Sequence, residues 1–140
     1  MKKKILVLCT GNSCRSQMAH GYLAAMGHEN VEVYSAGVET HGVNPKAIAI
    51  MAEDGVDIAN HTSNHIDEYR NLNFDYVITV CDHAKERCPW FPGTARLFHE
   101  NFPDPAKATG TDEEINMAFE YTRNLIKTYC QNFILQHLKN

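Results

Sequence analysis

Residues 4–9 (KILVLC) form an almost unbroken apolar run that stops abruptly at the polar Thr10-Gly11-Asn12-Ser13. Apolarity this continuous over so short a stretch predicts a strand covered on both faces. Residues 16–26 (SQMAHGYLAAM) then read as a helix, with Gly27 as its stop. Residues 31–35 (VEVYS) predict a second strand. Asn44-Pro45 has the form of a cap followed by proline in a first helical turn, opening a helix to about Asp54 that Gly55 ends. A short helix is expected after Thr62 or Ser63. Residues 75–81 (DYVITVC) predict a third strand, 95–98 a fourth, and 99–110 a loop holding Pro103 and Pro105. Thr111-Asp112-Glu113-Glu114 is a capping-box signature. Behind it Ile115, Ala118, Phe119, Thr122, Leu125, Ile126, Tyr129, Phe133 and Ile134 recur at helical spacing, a core-facing stripe in which Cys130 reads as an inert structural thiol.

Strands alternating with helices imply parallel βαβ units. The expected fold is therefore α/β: a single domain over 1–140, with a four-stranded parallel sheet flanked by helices. In such sheets ligands bind off the carboxyl ends of the strands, where strand order reverses. Cys9 ends the first strand and Cys81 the third, so both thiols are expected at one sheet edge.

Composition narrows the class. A chain of 140 residues, 44% apolar and 21% charged, can bury a core without staples. A net charge of −4 with no long run of one sign argues against a nucleic-acid or anionic-membrane surface. Met1-Lys2-Lys3-Lys4 and the following apolar run imitate a signal peptide, but the run is too short and no small-residue cleavage site follows, so a cytoplasmic protein is expected. Five cysteines (Cys9, Cys14, Cys81, Cys88, Cys130) make an odd count, which argues against a disulfide framework and leaves metal binding, redox chemistry or nucleophilic catalysis.

Cys9-Thr10-Gly11-Asn12-Ser13-Cys14-Arg15-Ser16 is a cysteine, five residues, an arginine and a hydroxyl. The spacing alone is a weak signal; its position between a strand and a helix gives it meaning. There, successive backbone N–H groups can turn inward as a nest, and the helix N-terminus adds partial positive charge. Gly11 and Asn12 tolerate the positive φ of a tight loop. Arg15 can grip two oxygens of a tetrahedral anion. The same field should favour a Cys9 thiolate, with Ser16 placed to donate to the sulfur. Thr10, Gly11, Asn12, Ser13, Cys14 and Arg15 are thus the candidate anion cradle and Cys9 the candidate nucleophile. Asp104, between Pro103 and Pro105, is the candidate general acid for a leaving oxygen.

Cys81 and Cys88 stand seven positions apart, and Cys88 precedes Pro89-Trp90. Zinc is disfavoured, because no Cys-x2-Cys occurs and no histidine shows ligand spacing. Two unrelated thiols and a relay in which Cys9, Cys81 and Cys88 pass a disulfide outward both remain open.

Together CTGNSCRSQMAHG, YSAG (Tyr34 to Gly37), ETHGVNPKAI (Glu39 to Ile48), NHTS (Asn60 to Ser63) and the Cys81/Cys88 loop resemble the thioredoxin-coupled arsenate reductases, which have the low-molecular-weight protein tyrosine phosphatase fold. The resemblance runs to about Ala106. It implies that Cys9 attacks arsenate held by Arg15 and the loop amides, that Ser16 stabilises the thiolate, that Asn12 shapes the loop, and that Asp104 protonates the departing hydroxyl. Cys81 would then attack Cys9, releasing arsenite, and Cys88 would attack Cys81, leaving a disulfide for thioredoxin to reduce. Phosphate and sulfate would be mimics, no cofactor would be bound, and a monomer is expected. Relatives often bind potassium through Asn12, Ser35 and two acids. His20 and Asn64 occupy the acid positions, so potassium activation is not expected. Oxidation to a Cys81–Cys88 disulfide should change Trp90 fluorescence.

The alternatives are a low-molecular-weight protein tyrosine phosphatase, which usually carries tyrosine where Ala106 follows Asp104-Pro105, and a non-catalytic oxyanion-binding or thiol-switch protein, which would need no general acid.

Overall fold

The computed structural model describes residues 2–81 and 95–138. Strand β1 (Lys3–Cys9) is the spine. Ile5, Leu6 and Val7 are fully buried and Leu8 nearly so, as the unbroken apolar run requires. It pairs in parallel with β2 (Val31–Gly37) on one side and β3 (Tyr76–Thr79) on the other. Beyond β3 lies β4 (Arg96–His99), also parallel. The order β2-β1-β3-β4 reverses direction at β1, so the crevice off the ends of β1 and β3 is the topological switch point.

Helix α1 (Arg15–Gly27) returns the chain from β1 to β2. It ends at Gly27, as expected from sequence. The positive φ falls on the next residue, His28, at 48°, and Gly27 is needed because a Cβ there would lie 2.4 Å from Val31 Cγ2. Helix α2 (Pro45–Glu53) opens as expected, with Asn44 Oδ1 accepting from Lys46 N at 2.8 Å. The segment after Thr62 forms only a 3-10 turn, Ile66–Tyr69, capped by His65. A similar turn, Pro105–Lys107, interrupts the expected loop and is capped by Asp104.

Helix α3 (Asp112–His137) has the capping box on Thr111 and Glu114. Phe119, Thr122, Ile126, Cys130 and Phe133 form its buried stripe, and Cys130 Sγ lies 3.8 Å from Ala19 O of α1. Leu125, placed in that stripe by periodicity, is 37% exposed. Near the C-terminus of α3, Phe133 meets Tyr76 of β3 and Phe98 of β4 edge to face. The core lies between this helical layer and the sheet, and the Cys9 loop projects beyond it.

Candidate active site

The loop after β1 is held from outside by its own carbonyls. Thr10 O accepts from Glu39 N (2.9 Å), Gly11 O from His41 N (3.0 Å) and Ser63 Oγ (3.0 Å), Asn12 O from Gln17 Nε2 (3.1 Å), and Ser13 O from Asn44 N (3.1 Å). In a planar trans peptide the carbonyl and the next N–H point opposite ways. Four consecutive outward carbonyls therefore turn the amides of Gly11, Asn12, Ser13 and Cys14 inward, where an anion would sit. Helix α1 begins at Arg15 and aims its positive end at the same point.

Asn12 is the loop's internal brace. It alone takes the left-handed backbone, at φ 50°, and it is fully buried. Its Nδ2 donates to Ser16 Oγ (2.8 Å) and its Oδ1 accepts from Asn64 N (2.8 Å). Gly11, expected to share that backbone strain, instead lacks a side chain for space: a Cβ would lie 2.4 Å from His41 Nδ1. Gly37, at the end of β2, is likewise sterically required, since a Cβ there would meet Thr10 O and Glu39 O at 2.6 Å.

Cys9 is buried, and so is Cys81 two residues beyond β3. Both line one cavity of about 440 Å³ with Arg15, Asp104, Ala106 and Lys107, so the sheet brings the two thiols together as strand order implied. Thr10 Oγ1 lies 3.3 Å from Cys81 Sγ. The Cys9 thiol is held well above its ordinary range by its hydrogen bond with Cys81 and by burial, while Arg15 and the Thr10 backbone pull the other way. Burial and the neighbouring thiol thus oppose the loop's field, which favours the thiolate. Cys14 is pushed up to about 11, first by burial and then by the charge of Asp104.

Arg15 Nη1 donates to Phe102 O (3.0 Å) and Nη2 lies 3.6 Å from Asp104 Oδ2. One guanidinium thus ties the anion loop to the acid loop, as the proposed division of roles needs. Ser16 is fully buried, and by accepting from Asn12 it keeps its own proton free to donate. Cys88 and Trp90 lie outside the described residues.

Several supporting residues escaped the sequence reading: Gln17, Gly37, His41 and Ser63. Gln17 is fully buried, donating through Nε2 to Asn12 O and Thr62 O and accepting from His61 Nδ1 (2.9 Å). Its only sequence signal is a polar residue on the inner face of α1. The residues implied for potassium are otherwise engaged. Ser35 Oγ lies 2.9 Å from His20 Nδ1, and Asn12 is committed to Ser16 and Asn64. Hard cations take oxygen ligands, and an imidazole stands where a carboxylate would be needed, so these residues do not fit the ion.

The family model for low molecular weight phosphotyrosine protein phosphatase matches residues 4–140. An arsenate reductase of Oceanobacillus iheyensis is 49% identical over 125 residues, 89% of this chain and 90% of its own. Among solved structures, an arsenate reductase in the phosphate binding state superposes with a TM-score of 0.74 at 31% identity, covering 96% of this chain and 98% of its own. An arsenate reductase in the oxidized state gives 0.79 at 32% identity, covering 97% and 98%. The loop, its paired thiols and these likenesses agree: the chain belongs to the low-molecular-weight phosphotyrosine protein phosphatase family and, within it, to the arsenate reductases.

Proposed function

We propose that this chain reduces arsenate to arsenite by a relay through Cys9, Cys81 and Cys88, with thioredoxin as the external reductant. The observation that carries the reading is that Cys9 and Cys81 line one cavity with Arg15 and Asp104, Cys81 Sγ lying 3.3 Å from Thr10 Oγ1 of the anion loop. A phosphatase hydrolyses its cysteinyl intermediate with water and needs no second thiol there.

Cys9 sulfur attacks arsenic(V), and a hydroxyl leaves as water, taking the thiol's proton by way of Asp104. Arg15 and the inward amides stabilise the oxygens. Cys81 sulfur then attacks Cys9 sulfur. The Cys9–Cys81 bond forms, the sulfur–arsenic bond breaks, and its electron pair stays on arsenic, which departs as arsenite. Cys88 displaces Cys9 from Cys81, and the Cys81–Cys88 disulfide accepts two electrons from thioredoxin. Ser16 serves the Cys9 thiolate. No phenylalanine, tyrosine or tryptophan lines the cavity among the described residues, and Ala106 stands where phosphatases usually place tyrosine. Relay thiols require a reducing compartment; we assign the protein to the cytoplasm, acting as a monomer. Among the described residues no helix is long and apolar enough to cross a membrane.

Arsenate-dependent NADPH oxidation with thioredoxin and thioredoxin reductase tests this. Wild type should turn over repeatedly, and Cys88→Ser should lose steady turnover. Hydrolysis of p-nitrophenyl phosphate unaffected by Cys88→Ser, with no arsenate turnover, would establish the phosphatase instead.

A further inference from the structure

His41 lines the Cys9 cavity, yet the relay gives it no task. Its place is held on two sides. Its backbone N–H donates to Gly11 O (3.0 Å), and its ring settles over Gly11, where a Cβ would lie 2.4 Å from Nδ1. Nε2 lies 2.9 Å from Glu39 Oε1. Glu39 is itself anchored, its backbone N–H donating to Thr10 O (2.9 Å). An imidazole whose far nitrogen faces a carboxylate is held in orientation. The cavity can use a further donor, because Arg15 already divides its own between Phe102 O and Asp104.

We propose that His41, braced by Glu39, is a second oxyanion-binding residue of the site, presenting Nδ1–H at the cavity mouth to a tetrahedral dianion. The inference deepens the reading of the Cys9 loop as an oxyanion site and rests on it. The ring is about half exposed, with 55% of its side-chain surface accessible, so solvent screens the interaction and its effect is modest. The other charged or titratable groups facing the cavity are Cys9, Cys14 and Arg15 from the loop, Cys81 from the end of β3, and Asp104 and Lys107 from the acid loop.

The test is sulfate binding to the reduced full-length protein by titration calorimetry, at constant ionic strength. Sulfate stays a dianion between about pH 5 and about pH 8, the range in which imidazoles lose their proton. Wild type should bind more weakly as pH rises. His41→Gln should bind about threefold more weakly at the acid end and lose most of the pH dependence. His41→Lys should restore binding without that dependence. His41→Gln with unchanged affinity, or weakened equally at every pH, would overturn the proposal and leave His41 as packing on Gly11. If wild type bound no sulfate at any pH, the oxyanion-site reading would fail along with it. Sulfate cannot be reduced at the site, so neither result depends on whether arsenate is.

Discussion

His20 and His61 lie with ring centroids 4.3 Å apart and their planes tilted by 31°, His20 against Ser35 and His61 against Gln17. Gln17 spends its amide hydrogens on two carbonyls, so its oxygen must accept and His61 Nδ1 must carry the proton. Burial, with the charge of His61 second, lowers His20 from 6.5 to about 4. Burial disfavours the charged form, so the unfolded chain takes up the proton first. The neutral imidazole's contribution to stability is whole above pH 6.5 and is lost as pH falls toward about 4, below which it changes no further. The full loss is on the order of 3 kcal/mol. Urea unfolding of wild type at stepped pH should show this decline, and His20→Gln should flatten it. An equal slope in both would mean that other groups govern acid stability. A lone exposed histidine would titrate normally; only its neighbours make His20 different, and those come from β2 and from the chain near Thr62.

At the scale of elements, the loop is built by what returns to it. Strand β2 ends at Gly37, the next residues run on alongside Thr10 and Gly11, and the Ser63-Asn64 turn closes the other side. Gly37 permits that approach because its three close neighbours, Thr10 O, Glu39 O and Asn12 N, are backbone atoms that cannot swing away. Gly37→Ala should therefore cost about 1–3 kcal/mol and weaken oxyanion binding as well, read by thermal unfolding and sulfate titration. Unchanged affinity with lowered stability would show that β2 supports the fold and not the loop. Capping and turn chemistry at Asn44 and Thr111 were legible because those signals are local. The lengths of β3 and of the turn at Ile66 were not, since strand ends are decided by partners.

For the whole molecule, the sheet order brings Cys9, Cys81 and Asp104 to one cavity from three separate stretches of chain, and Arg15 joins two of them. Replacing its planar fork by a single ammonium keeps the charge but cannot hold Phe102 O, Asp104 and an anion together. Arg15→Lys should lower kcat/KM for arsenate about a hundredfold while the unfolding midpoint moves little. A large fall in stability with proportionate activity loss would instead make Arg15 a structural tie.

The sequence by itself determined the α/β class and the order of strands and helices, and it marked Cys9, Arg15 and Asp104 as candidates, because apolar periodicity and short motifs act within one element. It also placed the two thiols at one sheet edge, since parallel topology allows few alternatives. Only the tertiary structure decided which groups orient the loop, why Gly11 and Gly37 are glycine, and that burial and Cys81 oppose the pull of Arg15 on the Cys9 thiol. Each of these is a contact between residues distant in sequence, and its sign depends on distance and burial, which no local pattern encodes.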